Sequence, residues 1–295
     1  MCTVDTRLAR LRAALHPGVA GRLDAFRDAV DALAEAPAAP RTIAVVGLVP
    51  GAGRTTVTAL LALAVAGHSH RRVVVIDAVT SVTGPRNAPG RPPAGDDVSA
   101  RSVTALLGGD VRQGRLPELL AGAPIGGIPR RRIRQALTPD AAVPVLSLPP
   151  GRGGVPPQRL EQTLDRLAYR ADVILIDTPA GPAAPVLHAV LERADHYLLV
   201  APAGPDLARQ ARAGRVWLSD GPGRPRTRTA TLVAVSRGLR VPHWSALPEP
   251  VTVLARDEAL RRRQLGQLSR SSMITALALA ADALTSPMST PLPAA

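Results

Sequence analysis

The feature that most constrains this chain is an apolar segment that runs directly into a glycine-rich loop. Residues 43–46 are all apolar, and Gly47, Gly51 and Gly53 follow within the next seven positions. A helical pattern from about residue 55 to 66 comes next, with Gly67 as its predicted end, and a second apolar strand is predicted over residues 72–78. This order is a βαβ unit, and its continuous apolar strands are typical of a parallel sheet.

The glycine loop has the layout of a phosphate-binding P-loop. That motif reads G-x-x-x-x-G-K-[ST]: its glycines let backbone N–H groups surround phosphates, its lysine neutralises them and its hydroxyl binds Mg²⁺. Gly53 and Thr55 fit this pattern, whereas Leu48 and Arg54 do not. The prediction therefore depends on context, which is a strand before the loop, a helix after it, and two later apolar strands that end in Asp77 and Asp177.

Strand and helix patterns alternate from residue 42 to about residue 284. Continuous alternation favours a doubly wound, mostly parallel sheet between helical layers, so the predicted fold is a three-layer α/β domain over residues 41–285. Residues 1–40 are predicted to be a helical extension of two short helices and a linker, and residues 286–295 a disordered tail. Residues 80–100 are rich in Pro, Gly, Asp and Ser and are predicted to form a mobile loop.

Cysteine content and hydropathy exclude several classes of protein. Cys2 is the single cysteine, which excludes a disulfide framework and a cysteine-based zinc site. The longest apolar run, residues 59–67, is too short to span a bilayer, so we expect a cytoplasmic protein with no transmembrane segment. His68 and His70 lack neighbouring Cys or Glu at metal-ligand spacing and are interpreted as surface loop residues.

The net charge is +13, and every basic residue is an arginine because the chain contains no lysine. The arginines are concentrated in residues 130–134, 224–228 and 261–263, where they could neutralise the phosphates of non-specific DNA or an anionic protein partner. The other interpretation is that they lie on solvated faces. An aromatic content of 2% favours this second interpretation, because few rings are present to stack on bases.

Five segments of the chain resemble the MinD/ParA family of deviant-Walker P-loop ATPases, and in particular its actinobacterial MinD-like members. The resemblance covers about residues 41–285, and its most specific segment is residues 169–181, where an apolar run ending Asp-Thr-Pro-Ala-Gly is similar to the family's Walker B region. The other segments are residues 48–56, 75–77, 194–200 and 232–237. The resemblance implies a P-loop fold, ATP and Mg²⁺ as cofactors, a homodimer, and a protein partner from a division, partition or secretion system.

The resemblance also implies roles for individual residues. The nucleotide-binding residues are those of the loop together with one arginine near the base: Pro50, Gly51, Ala52, Gly53, Arg54, Thr55, Thr56 and Arg237. The metal-binding residues are Thr55, Asp77 and Asp177. No catalytic residue is assigned.

Departures from the family pattern predict that ATP hydrolysis is weak or lost. Val49 stands where the family has its signature lysine, and Arg54 stands where it has the principal P-loop lysine. A guanidinium keeps the charge but is larger than an ammonium, and Pro50 removes an N–H donor from the loop. Val79 stands where the family has an aspartate linked to orienting the attacking water. Phosphoryl transfer depends on positioning and charge stabilisation, and these replacements weaken both.

The sequence leaves three questions open. Asp96 and Asp97 would replace the missing carboxylate only if their loop folded over the site. Ser236 with Arg237 stands where the family often has an Asn-Arg pair, so ATP and GTP are not distinguished. The favoured function is a nucleotide-binding switch, and the opposing one is a pseudo-ATPase scaffold that binds DNA or a protein partner through its arginine clusters without nucleotide.

Overall fold

The structure is a computed structural model that describes residues 19–78, 102–107, 142–147, 157–179, 185–220, 230–236, 251–255, 257–262 and 264–286. Within these ranges the chain alternates between strands and helices, as the sequence patterns predict. In order, the elements are α1 (Val19–Glu35), β1 (Arg41–Val46), α2 (Arg54–His68), β2 (Val73–Asp77), α3 (Val103–Leu106), β3 (Val145–Ser147), α4 (Pro157–Ala168), β4 (Val173–Asp177), α5 (Pro185–Arg193), β5 (His196–Pro202), α6 (Leu207–Asp220), β6 (Ala230–Ser236), β7 (Val251–Ala255), α7 (Glu258–Arg261) and α8 (Arg270–Thr285).

The described strands form one sheet of seven in the order β3-β2-β4-β1-β5-β6-β7. Every neighbouring pair is parallel. Strands β1, β2 and β4 are buried along their whole length, as expected for a parallel sheet with helices on both faces. The predicted three-layer α/β fold is confirmed. Because strands β2 and β3 lie on one side of β1 and strands β5 to β7 on the other, a crevice is expected at the carboxyl end of β1.

Alternate residues of the strands point into two apolar layers, as the pleat of a strand requires. One layer packs against α1, α2 and α8 and includes Ile43, Val45, Val75 and Leu175. The opposite layer packs against α4, α5 and α6 and includes Ala44, Val46, Ile76 and Ile176. The first layer therefore supports the helix that follows the glycine loop.

Helix α2 starts at Arg54, directly after Gly53, and runs to His68. The predicted helix end at Gly67 is wrong, because the helix continues through this glycine. The helix ends at Ser69 instead, where the backbone becomes extended, with φ −142° and ψ 161°. The Ser69 N–H makes the last helical bond to the Val65 carbonyl at 3.0 Å, and its hydroxyl donates to the same oxygen at 2.6 Å. Glycine weakens a helix interior but does not stop a helix by itself.

Helix α1 packs on the same face of the sheet as α2 and α8. Its buried residues Ala25, Ala29 and Leu33 recur at helical spacing. The Phe26 ring lies edge-on to the His68 ring at the end of α2, with the two centroids 5.3 Å apart. Arg71 donates to the carbonyl oxygens of the linker residues 36 and 37, which fixes the linker beside the start of β2.

Several predictions concern residues outside the described ranges. They are the helix before residue 17, the loop at 80–100, the tail from 287 onward and the arginine clusters at 130–134 and 224–228. In the third cluster the described Arg262 side chain is exposed and pairs with Glu258 of α7, with Nε 3.3 Å from Oε1. None of the helices in the described part of the chain is long and apolar enough to cross a membrane.

Candidate nucleotide and cation site

The loop between β1 and α2 has a backbone that only glycine adopts without strain. Gly51 and Gly53 have φ angles of 72° and 101°, in the left-handed region. Gly53 is also in contact with β6, because a Cβ at this position would lie 2.8 Å from Val235 Cγ2. The loop leads into the start of α2, where the first N–H groups have no partner within the helix and attract anions.

Gly47 is a loop residue whose role the sequence analysis did not assign. A Cβ at this position would lie 2.7 Å from the Val200 carbonyl oxygen of β5, so the close approach of the two strands requires glycine. The Gly47 carbonyl accepts a hydrogen bond from Arg54 Nη1 at 2.9 Å. Its place directly after a buried strand is the sequence signal that could have identified it.

Arg54 brings a buried positive charge into the loop. Its side chain is only 8% exposed, and its hydrogen bond to Gly47 ties the first residue of α2 to the end of β1. Burial lowers the pKa of Arg54, whereas the negative charge of Asp177 raises it. Arginine stays protonated in proteins, so the positively charged Arg54 guanidinium lies close to the Asp177 carboxyl.

Asp77 and Asp177 lie side by side at the carboxyl ends of β2 and β4, where they are register partners. Asp177 is fully buried, and among the described residues neither of its carboxyl oxygens has a hydrogen-bond partner of normal geometry. Burial, followed by the charge of Asp77, raises the pKa of Asp177 to about 8, while the nearby Thr55 hydroxyl and Arg54 act in the opposite direction. The two carboxyl groups therefore destabilise each other's charged form unless a metal ion is bound between them.

The donor set at these strand ends fits Mg²⁺. Thr55, Asp77 and Asp177 offer hard oxygen ligands, and within the described part of the chain both carboxyl oxygens of Asp177 are buried without a well-formed hydrogen bond. The described residues contain no group of three or more His, Cys, Asp or Glu side chains that could hold a metal ion by themselves. Magnesium usually combines one or two carboxylates with phosphate oxygens, so this site would bind it together with a nucleotide.

Asp77 is held by a hydroxyl group that the sequence analysis did not assign, and a second hydroxyl supports the first. The Thr104 hydroxyl donates to Asp77 Oδ2 at 3.1 Å, and Ser147 Oγ lies 2.8 Å from Thr104 Oγ1. Thr104 follows Asp77 by 27 residues and Ser147 follows Thr104 by another 43. No local sequence signal connects them, and only the pairing of the edge elements brings them together.

The other predicted loop residues also lie between β1 and α2. Pro50 is exposed, Ala52 is buried, and Thr56 is half-buried in the first turn of α2. Val49, at the position of the family's signature lysine, is half-buried and packs against the apolar layer under α2. The position therefore offers an alkyl group and no cation.

Residues predicted to flank the base or to orient water are only partly described. Ser236 is buried at the carboxyl end of β6, next to the glycine loop. Arg237 lies outside the described residues, as do Val79, Asp96 and Asp97. Their predicted roles stay predictions.

Solved structures of MinD and ParA ATPases have the same fold as this chain. A ParA family ATPase from Chlorobium tepidum superposes with a TM-score of 0.62 at 16% identity, covering 82% of this chain and 99% of that chain. The septum site-determining protein MinD of Pyrococcus horikoshii, complexed with Mg-ADP, gives 0.56 at 20% identity and covers 81% and 94%. The MinC:MinD cell division complex of Aquifex aeolicus gives 0.57 at 18% identity, with the same two coverages.

Because the sequence identities are low, these comparisons establish the fold of the chain and nothing finer. No protein-family model matches the sequence, and no curated protein matches it either. The predicted P-loop fold of the MinD/ParA type is confirmed at this level. The roles of individual residues rest on the geometry described above.

Proposed function

We propose that the protein is a MinD/ParA-like nucleotide-binding switch that binds ATP with Mg²⁺ and hydrolyses it weakly or not at all. The observation that carries this proposal is the meeting of a glycine loop, a buried arginine and a pair of carboxyl groups at the ends of neighbouring strands. The arginine and the loop suit phosphates, and the carboxyl groups suit a divalent cation. The similar fold of the Pyrococcus horikoshii MinD, which was solved with Mg-ADP, supports it.

In this proposal the phosphates bind along the backbone from Gly51 to Thr56 and beside Arg54. The Arg54 guanidinium has five N–H donors, so it can bond the Gly47 carbonyl and a phosphate at the same time. Thr55, Asp77 and Asp177 hold the cation. Bound Mg²⁺ would supply charge neutralisation at the phosphates, and its charge would offset the burial and the repulsion by Asp77 that raise the pKa of Asp177.

Weak hydrolysis follows from the groups that surround the phosphate site. The side chain at position 49 packs against the apolar layer and offers no charge to the transferred phosphate. Pro50 has no N–H to donate to it. Because phosphoryl transfer relies on fixed positive charge and donors around the transferred group, this degenerate Walker A loop favours binding over turnover.

We extend the proposal to partners. A nucleotide-bound form would assemble as a homodimer and dock a protein of a division, partition or secretion system. The structural similarity to a MinD that was solved in complex with MinC supports this assignment. The partner itself is not specified by any residue of the described part of the chain.

Isothermal titration calorimetry with ATP, ADP and GTP, each with Mg²⁺, tests nucleotide binding. We expect adenine nucleotides to bind the wild-type protein and Arg54→Ala to weaken the affinity at least about tenfold, because a charge-assisted hydrogen bond is lost. Arg27→Ala, on the exposed face of α1, removes the same charge and should leave the affinity unchanged. Absence of binding heat with millimolar nucleotide would reject the proposal and leave the scaffold alternative.

Release of phosphate from Mg-ATP tests the second half of the proposal. We expect slow release or none. Rapid release that Asp177→Ala abolishes would show an efficient ATPase and reject the weak-hydrolysis claim, while nucleotide binding would stand.

The scaffold alternative predicts instead a DNA affinity that falls steeply as the salt concentration rises. A DNA affinity that does not change with salt would reject the DNA-binding form of this alternative.

A further inference from the structure

We infer that Thr104 is a positioning residue for the cation site, whose hydroxyl, supported by Ser147, fixes the orientation of the Asp77 carboxylate. The inference rests on the proposed function, because the cation concerned is the one that would accompany a nucleotide. It adds two residues to the site, from α3 and β3, to which neither the loop motif nor the strand-end aspartates point.

Thr104, Ser147 and Asp77 form one buried chain of hydrogen bonds. All three side chains are buried, with Thr104 fully so. An ionised carboxylate only accepts hydrogen bonds, so in the form that binds a cation the Thr104 hydroxyl must donate to Asp77. A hydroxyl has a single proton, and the 2.8 Å contact between the two hydroxyls therefore requires Ser147 to donate to Thr104. The chain runs in one direction, from Ser147 through Thr104 to Asp77.

The bond from Thr104 acts on a torsion that an aspartate by itself determines only loosely. The terminal torsion of an aspartate has a broad distribution, so an unsupported carboxylate turns easily. Thr104 holds Oδ2 and thereby sets the plane of the carboxylate relative to Asp177, its register partner on β4. Hydrogen bonds that orient a metal ligand in this way are typically worth about 10–100-fold in metal affinity.

The backbone around Thr104 is itself well fixed, as a positioning role requires. Ser102 caps α3, with its hydroxyl accepting from the Ala105 N–H. The Ala142 N–H donates to the Leu107 carbonyl at 2.9 Å, which ties the end of α3 to the segment that leads into β3. Ser147 is also the register partner of Asp77 in the β2–β3 pair. The hydroxyl chain therefore connects three elements that the backbone already holds together.

The test measures Mn²⁺ binding to the full chain in the presence of ADP, by electron paramagnetic resonance of free Mn²⁺. Thr104→Val keeps the shape and removes the hydroxyl, and we expect it to weaken Mn²⁺ affinity about tenfold. Thr104→Ser keeps the hydroxyl and should restore the affinity to within about threefold of wild type. Ser147→Ala should give an intermediate loss. Thr163→Val, at a buried threonine of α4 on the opposite face, is the matched control and should change nothing.

A second readout separates positioning from a general structural effect. ADP affinity measured in EDTA should be the same for all variants, because Thr104 is inferred to act only on the cation. Equal Mn²⁺ affinity of wild type and Thr104→Val would overturn the inference and leave the proposed function intact. A parallel loss of metal-free ADP affinity, or a failure of Thr104→Ser to restore binding, would overturn it as well.

The remaining outcomes are equally decisive. If Thr104→Val does not fold, Ser147→Ala and Thr104→Ser decide, and wild-type Mn²⁺ affinity in Ser147→Ala overturns the inference. If the wild-type protein binds ADP but no Mn²⁺, the inference and the cation part of the proposed function both fail. If it binds neither, the whole proposal of a nucleotide site fails with them.

Discussion

At the scale of single residues, the two left-handed glycines of the loop differ in what surrounds them. Both have a positive φ, but only Gly53 would bring a new Cβ into contact, 2.8 Å from Val235 Cγ2. We expect Gly51→Ala to lower the free energy of unfolding by about 1 kcal/mol, through backbone strain alone. Gly53→Ala should lower it by about 2–3 kcal/mol, because overpacking adds to the strain. Urea denaturation measures both values.

A double variant isolates the steric part of this prediction. A Val235→Ala background removes the two γ-methyl groups at 2.8 and 3.0 Å and leaves only the Cβ contact at 3.1 Å, so Gly53→Ala should cost less there than in the wild-type background. Equal costs of the two single variants in the wild-type background would contradict the prediction, since they would mean that β6 does not approach the loop.

A second residue-scale feature is the buried His196 at the amino end of β5. Its Nε2 lies 3.0 Å from Thr231 Oγ1, and Thr231 donates to Asp282 Oδ2 at 2.7 Å. Because the Thr231 hydroxyl donates its only proton to Asp282, the neutral His196 must donate from Nε2 to Thr231 Oγ1. Burial lowers the pKa of His196 to about 4; Asp282 of α8 raises it and Arg41 of β1 lowers it.

This shift makes stability depend on pH in a defined direction. Between pH 6.5 and pH 4, His196 binds a proton in the unfolded chain but not in the folded protein. The contribution of neutral His196 to the free energy of unfolding is therefore complete above pH 6.5 and falls by up to about 3 kcal/mol as the pH is lowered to 4. We expect the stability difference between wild type and His196→Gln to shrink by this amount from pH 7 to pH 4. Denaturation profiles of the two proteins that stay parallel over this range would contradict the assignment.

At the scale of elements, buried parallel strands could be predicted from the sequence, whereas contacts between distant elements could not. Strands such as β4 are continuous apolar runs, and Asp177 stands out because it ends one of them. The contact between Gly53 and Val235 depends on the position of β6, and the bond between Thr104 and Ser147 on the pairing of an edge strand. The pattern places the end of α2 at Gly67, two residues before Ser69, because glycine is the stronger helix-end signal in the sequence.

Helix α1 allows an element-scale prediction with an internal control. Leu33 is fully buried on this helix, whereas Leu23 is 52% exposed. We expect Leu33→Ala to lower the free energy of unfolding by about 3 kcal/mol, since it leaves a cavity against the body. The same change at Leu23 should cost less than about 0.5 kcal/mol. Similar small costs at both positions, measured by chemical denaturation, would mean that α1 does not pack on the domain in solution.

At the scale of the whole molecule, the glycine loop and the N-terminal helix belong to one core. Leu33 of α1, Val57 of α2 and Leu277 of α8 lie in the same apolar layer. A ligand that binds the native loop therefore stabilises a unit that includes α1. We expect a single cooperative thermal transition, with the whole of it shifted upward by ligand.

Mg-ADP at about 100 times its Kd should raise the free energy of unfolding by about 2.7 kcal/mol. Asp177→Asn should remove the part of this shift that depends on Mg²⁺, because an amide is a poorer cation ligand, and ADP in EDTA should then stabilise both proteins equally. The ligand-free variant should be at least as stable as wild type, since burial, followed by the charge of Asp77, raises the pKa of Asp177 to about 8 and makes its ionised form costly. A full Mg²⁺-dependent shift in Asp177→Asn, measured by calorimetry, would place the cation elsewhere. A loss of stability in the ligand-free variant would instead show that the Asp177 carboxylate stabilises the protein by balancing the charge of Arg54.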